Sequence, residues 1–210
     1  MSTKKDKFSQ KDIKYMDLAL NLARARDGLT GVNPSVGCVI VKNDKIISIG
    51  QTGYDGRPHA ETNAINHCND SLKNSKIYIT LEPCNHYGKT PPCTNLIIKK
   101  EIKEVFYSID DIDKKVRGKS FKILKSKGII VKKGLLKNRI SDFYNNYFFN
   151  RKFKIPYVTG KIAVSKNNLI YSENKKEITD IHSDKFTHFL RYKNDSLMIS
   201  STTLNKDNSK

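Results

Sequence analysis

Four side chains constrain the fold of this chain more tightly than any hydrophobic pattern in it. They are His59 and Glu61, in His59-Ala60-Glu61, and Cys84 and Cys93, at the two ends of Cys84-Asn85-His86-Tyr87-Gly88-Lys89-Thr90-Pro91-Pro92-Cys93. Imidazole and thiolate are the donors that zinc prefers, and an ion shared by His59, Cys84 and Cys93 needs all three within about 2.0–2.3 Å of one point. The chain must therefore bring three separated segments together. One histidine and two cysteines leave the fourth tetrahedral position for water, the mark of a catalytic rather than a closed structural site. Glu61, two residues beyond the histidine, is placed to move that water's proton. At the start of a helix, positions i and i+2 point in different directions, so one residue can ligate while the other faces the open position.

Each fragment is weak alone. His-Ala-Glu is a common tripeptide, and cysteines of a structural zinc site are usually separated by two to four residues. The order carries the reading, with Pro83 before the first cysteine and Pro91-Pro92 before the second. Of the competing imidazoles, His67 reads as a helix-surface residue and His86 as a pocket-lining one.

The 210-residue chain suits one domain, or one plus part of a second. Its hydrophobic fraction of 37% is enough for a core. No stretch approaches the roughly 18 apolar residues that span a bilayer. No apolar segment follows Met1-Ser2-Thr3-Lys4-Lys5-Asp6-Lys7, so a signal peptide is not expected and a cytoplasmic location is. The four cysteines fit free thiols or metal ligands, with Cys38 and Cys68 read as small buried hydrophobes. The net charge of +18 comes from scattered lysines, without the aromatic and arginine interleaving of a single-strand binding groove. Nucleic acid is disfavoured as a partner, and attraction of a phosphorylated small molecule is the milder reading.

Along the chain, Ser9 is expected to cap a helix to about Arg26, with Ile13, Met16, Leu20 and Ala23 on one face. Val36 to Val41 reads as a strand, Lys42 to Lys45 as a turn, and Lys45 to Gly50 as its hairpin partner. A helix is expected over 59–69, a strand over 76–80, a Pro/Gly-rich loop over 82–92 and a helix from Cys93 to about Lys100. A strand over 104–109, a helix over 117–127, a strand over 129–132 and an aromatic helix over 138–150 follow. Farther on, 156–165 reads as a strand, with a helix near 180–191 and a strand at 196–200.

This alternation predicts a three-layer α/β/α sandwich around a mixed five-stranded sheet, followed by the incomplete start of a second α/β domain. The predicted boundaries are a disordered N-terminus over 1–10, a zinc-dependent domain over 11–150 and a second segment over 151–210. The aromatic helix from Phe143 to Phe153 offers an interface for a homo-oligomer.

Three blocks are similar to the deaminase domain of the bifunctional riboflavin-biosynthesis deaminase–reductase family, within the cytidine-deaminase-like fold. They are Asn33-Pro34-Ser35-Val36-Gly37-Cys38-Val39-Ile40-Val41, His59-Ala60-Glu61, and Thr80-Leu81-Glu82-Pro83-Cys84 through Thr90-Pro91-Pro92-Cys93. The resemblance spans about residues 12–150. Its most specific element is the long loop between the cysteines, which other zinc deaminases shorten to two residues.

The resemblance implies hydrolysis of the 2-amino group of 2,5-diamino-6-(5-phospho-ribosylamino)pyrimidin-4-one with release of ammonia. It implies one zinc on His59, Cys84 and Cys93, Glu61 as proton shuttle, and Asn33, His86, Lys89 and Asp111 around the substrate. Lys89, on a glycine-flanked loop, suits a phosphate, and Asn33 suits a pyrimidine edge. Where the family usually has Asp-Pro-Asn-Pro, this chain has Asp111-Ile112-Asp113-Lys114, so Asp113 stands in for an asparagine. The stretch from Pro156 to Ser165 resembles the first strand of the family's reductase domain, and Ser196 to Leu204 a later strand and loop. Most of that domain is missing from the 210 residues, so neither NADPH nor reductase activity is expected. Two rival readings are a deaminase of nucleosides, nucleotides or tRNA bases, and a zinc-stabilised binding module with four protein ligands and no role for Glu61.

Overall fold

In the computed structural model the structure describes residues 8–114, 116–170 and 178–207. The chain divides into two compact units, Met1–Tyr157 and Val158–Lys210. The predicted boundary fell at 150/151.

The first unit begins with helix α1 (Gln10–Arg26). Ser9 and Asp12 form a capping box, each side chain bonded to the other's backbone N–H, which satisfies donors that the first helical turn leaves free. Of the N-terminal stretch predicted as disordered, residues 1–7 lie outside the described residues, while Ser9 and Gln10 form the cap and first residue of α1.

Strands β1 (Gly37–Lys42) and β2 (Lys45–Gln51) follow as an antiparallel hairpin. Asn43 and Asp44, both at positive φ, make its two-residue turn. Helix α2 (Ala60–Asn66), strand β3 (Lys76–Leu81), helix α3 (Cys93–Lys99) and strand β4 (Glu104–Ile109) come next. Helix α4 (Lys119–Ser126), strand β5 (Ile130–Lys133), and helices α5 (Lys137–Phe143) and α6 (Asn145–Phe153) complete the unit. The sheet order is β2-β1-β3-β4-β5, with β1 antiparallel to both neighbours and β3, β4 and β5 parallel. This is the mixed five-stranded sheet expected.

Strand alternation divides the core into two layers. Cys38 and Ile40 of β1, Ile77 and Ile79 of β3, and Val105 and Tyr107 of β4 pack with Ala60, Ala64, Ile97 and Leu124 from α2, α3 and α4. Val39, Val41, Tyr78 and Phe106 pack on the other face with Met16, Ala19 and Leu20 of α1 and with Ile140 and Tyr144. Burial drives both layers: each of these side chains is at most 2% exposed.

The single aromatic helix predicted over 138–150 is two helices, broken at Tyr144 and extending to Phe153. The buried Tyr144 hydroxyl donates to the Ser35 carbonyl (2.7 Å) and meets the Thr80 hydroxyl (2.7 Å), tying the break to the sheet.

The second unit contains helices α7 (Ile181–Tyr192), capped by Asp180, and α8 (Ser201–Asp207). The strands expected at 156–165 and 196–200 do not form. A strand exists only with a ladder partner, and neither segment has one among the described residues.

Candidate active site

The sheet and helices deliver the predicted donors to one place. After β2, a short turn over Tyr54–Gly56 leads to His59, the N-cap of α2. Helix α2 sits directly on β2 because residue 50 is glycine: a Cβ there would collide with the Ala60 carbonyl and the Ala64 amide. Ser48 Oγ to the Ala64 carbonyl (2.6 Å) and Asn63 Nδ2 to the Gln51 carbonyl (2.7 Å) fix the register of that contact.

Cys84 follows the end of β3 by three residues, and Cys93 is the first residue of α3. The two cysteine segments are stitched by backbone. The Cys93 amide donates to Cys84 Sγ (3.3 Å) and the Thr94 amide to the Cys84 carbonyl (3.1 Å).

His59 Nδ1 lies 3.3 Å from Cys93 Sγ and 3.5 Å from Cys84 Sγ. All three donor atoms fall within 4.8 Å of one another, and among the described residues this group comprises those three side chains. Tetrahedral zinc bonds of about 2.1 and 2.3 Å place neighbouring donors roughly 3.5 Å apart. One imidazole and two sulfurs at these separations therefore fit zinc in donor type and in spacing.

The three donors also bond to one another. A hydrogen bond from Cys93, with others from His59 and the Cys93 backbone, holds the Cys84 thiol below its usual range. The Cys93 thiol is held above its usual range by that same contact with Cys84 and by burial. The His59 imidazole is shifted upward by its hydrogen bond with Cys84. Metal binding would displace the protons that His59 and Cys93 hold in this arrangement, because zinc takes neutral imidazole and thiolate.

Glu61, the second residue of α2, is 4% exposed. Burial pushes its carboxyl up to about 6, and the nearby imidazole works against that. A carboxyl group poised there can both take and give a proton near neutral pH.

His59, Glu61 and Cys84 open onto a cavity of about 830 Å³. Of the expected substrate contacts, Asn33, His86 and Asp111 line it. Gly56, at a positive φ of 84°, lies against the Asn33 side chain, where any Cβ would strike the amide. His86 Nδ1 is buried without a hydrogen-bond partner. Burial raises the Asp111 carboxyl above the usual range, while its Oδ1 accepts from the Asp113 amide at 2.9 Å. Asp113 also lines the cavity. Lys89 does not: it is exposed, on the loop outside the cavity wall. His67 is on the surface, its ring against the Asn63 carbonyl.

The cavity has cations that the sequence did not single out, among them Arg57 and Arg151. Arg57 donates to the Thr90 hydroxyl. Arg151 donates to the Val32 carbonyl (2.6 Å) and stacks over the Tyr147 ring at 5.4 Å. Both are half-buried, and their anchors set the direction of each guanidinium. Two sequence signals for them exist in retrospect. Arg57 lies two residues before His59, and Arg151 lies one helical turn after Tyr147.

Residues 9–109 match the family model of the cytidine and deoxycytidylate deaminase zinc-binding region. The chain is 48% identical over 141 residues to a diaminohydroxyphosphoribosylamino-pyrimidine deaminase of Buchnera aphidicola subsp. Schizaphis graminum, covering 67% of this chain and 95% of that one. It is 37% identical over 196 residues to the riboflavin biosynthesis protein RibD of Bacillus amyloliquefaciens, covering 92% of this chain and 53% of that one. The chain thus spans about half the length of the RibD relatives it matches. Its structure resembles that of the Thermotoga maritima diaminohydroxyphosphoribosylaminopyrimidine deaminase/5-amino-6-(5-phosphoribosylamino)uracil reductase, with a TM-score of 0.88 and 33% identity over 95% of this chain and 58% of that one. Among the described residues, no helix is long and apolar enough to cross a membrane.

Proposed function

The chain belongs to the diaminohydroxyphosphoribosylaminopyrimidine deaminase family, and we propose that it hydrolyses the 2-amino group of 2,5-diamino-6-(5-phospho-ribosylamino)pyrimidin-4-one, releasing ammonia. One observation carries the reading. A buried glutamate stands two residues from one member of a His/Cys/Cys donor group, and both face a cavity large enough for a nucleotide-sized ligand.

His59, Cys84 and Cys93 would hold zinc. Zinc, when bound, supplies the Lewis acidity that makes a water nucleophilic near neutral pH. Glu61 takes a proton from the attacking water and passes it to the ring nitrogen, which makes the amine-bearing carbon electrophilic. It then moves a second proton to the amine, so that ammonia leaves and a ring carbonyl remains. Burial of Glu61 supports this role because it brings the carboxyl near the operating pH.

Asn33, with donor and acceptor on one amide, suits the pyrimidine edge. His86, with its unpartnered Nδ1, supplies a further polar contact in the cavity wall. Arg57 and Arg151 suit the phosphate better than Lys89, because they face the cavity and each is already oriented by a hydrogen bond. The overall charge of +18 favours capture of an anionic substrate.

The test is ammonia release from the diaminopyrimidine phosphate, cytidine, deoxycytidylate and tRNA, with zinc content measured in parallel. Turnover of the first alone is the expected result. Turnover of cytidine, deoxycytidylate or tRNA in its place would overturn the substrate, and zinc-loaded protein inert toward all four would overturn the activity.

A further inference from the structure

Glu82 is a buried carboxylate, 3% exposed, that the proton-transfer chemistry does not use. It is the first residue after β3 and lies two positions before Cys84. Its Oε2 accepts from the Gly118 amide at 2.9 Å and the Asp111 amide at 3.3 Å, and its Oε1 accepts from the Ser120 amide at 3.2 Å. Its own amide donates to the Ile109 carbonyl at 2.9 Å. One side chain thus gathers two backbone donors from the connection between β4 and α4 and a third from the first turn of α4.

The neighbours of Glu82 reinforce the tie. Ser120 Oγ donates to the Pro83 carbonyl (2.6 Å), and Asn85 Nδ2 donates to the Val116 carbonyl and to Ser120 Oγ (3.0 Å each). The same connection presents Asp111, Ile112, Asp113 and Arg117 to the cavity. Of the described residues between Asp110 and Lys119, Val116 is the one buried apolar side chain. Polar ties rather than apolar burial therefore set where this wall of the cavity stands. A carboxylate is suited to the task because it is an acceptor at both oxygens, and charge-assisted hydrogen bonds are about twice as strong as neutral ones.

We infer that Glu82 is a positioning residue for the substrate: through the Asp111, Gly118 and Ser120 amides it holds the described part of the connection from β4 to α4 as the cavity wall beside the segment that carries Cys84. This rests on the deaminase reading for its kinetic consequence, but the hydrogen bonds can be tested without it. In Glu82→Gln, one oxygen becomes an NH2 group that can only donate. At least one backbone N–H then faces another donor in a buried place. Glu61 and His59 keep their supports on α2, and Cys84 and Cys93 keep the ties that the Cys93 and Thr94 amides make to Cys84.

The experiment measures zinc content, kcat per bound zinc and KM for the diaminopyrimidine phosphate, with amide hydrogen exchange at Gly118 and Ser120. For Glu82→Gln the expected result is a KM raised about tenfold or more, kcat per zinc changed far less, and faster exchange at both amides. Asn85→Ala, which removes only the tie to Val116 and Ser120, should shift KM and exchange the same way by a smaller factor. It serves where Glu82→Gln does not fold. Unchanged exchange in both variants would overturn the inference whatever the substrate. Faster exchange with unchanged KM would make Glu82 a stability element and overturn its positioning role.

Discussion

His59 Nδ1 and Cys93 Sγ lie 3.3 Å apart although 34 positions separate them in the chain. Three elements produce that contact: the β1–β2 hairpin that ends near His59, the crossing of β3 through the middle of the sheet, and the long loop that returns Cys93 to the start of α3. Removing either side chain leaves two donors. His59→Ala or Cys93→Ala should lower zinc from one per chain to a small fraction, and ammonia release should fall with it by at least about a hundredfold. Metal analysis of the purified variants, beside the same assay on chelator-treated wild type, checks both statements.

Glu61 is separable from the metal group because it is not one of its donors. Glu61→Gln should keep zinc and fold while losing turnover by about 10²–10⁴. Zinc content near one per chain with turnover intact would assign the proton transfers elsewhere.

Arg151 and Lys89 differ in placement rather than in charge. Arg151 lines the cavity and is held by Val32 and Tyr147, whereas Lys89 is exposed outside the wall. Arg151→Ala should raise KM for the phosphorylated substrate about tenfold or more. Lys89→Ala should change it by less than about threefold, consistent with the small worth of an exposed charge. A larger effect at Lys89 would move the phosphate to the loop between the cysteines.

Asp12 ties α1 to the sheet. Its Oδ1 accepts from the Tyr78 hydroxyl (2.6 Å), and its Oδ2 accepts from the Ser9 amide and hydroxyl (2.8 Å each). Burial acts to raise the Asp12 carboxyl, but the Tyr78 and Ser9 hydrogen bonds outweigh it and hold it below the usual carboxylate range. A depressed folded-state pKa gives stability that is present above the unfolded value and is lost as pH falls through the folded one. Asp12→Asn should therefore cost about 1 kcal/mol or more near neutral pH, and the deficit should shrink as pH falls below about 3.8. Urea unfolding of the two proteins at pH 7 and pH 3 measures it, and a deficit independent of pH would remove the ionised carboxylate from the account.

Much of the site could be read in one dimension because its chemistry needs rare residue types in a fixed order. His59, Glu61, Cys84 and Cys93 carry that order in the text of the chain; the structure sets the histidine and the two cysteines around one point, and Glu61 lines the cavity beside them. The hydrophobic periods of α1, β1, β3 and β4 were equally plain, since each of those elements buries a face against the core. Other features had no local signal. Lys89 reads as suited to phosphate because it is a cation on a glycine-flanked loop, but that Arg57 and Arg151 line the cavity and Lys89 does not has no local signal. In a chain with 39 lysines and arginines, a cation's identity alone carries little information. The helix break at Tyr144 also escaped the pattern, because hydrogen bonds to Ser35 and Thr80, both far away in sequence, accompany it.

The candidate donors, the carboxyl proposed to carry protons and the alternation that builds a mixed sheet between helices were legible in one dimension, because residue chemistry and side-chain period are local properties. Which cations face the cavity, the three amides that Glu82 gathers, and the lack of a strand over 156–165 came from the folded chain alone. Each of these depends on a partner brought near by the fold, and a partner's position in space is not a property of neighbours in sequence.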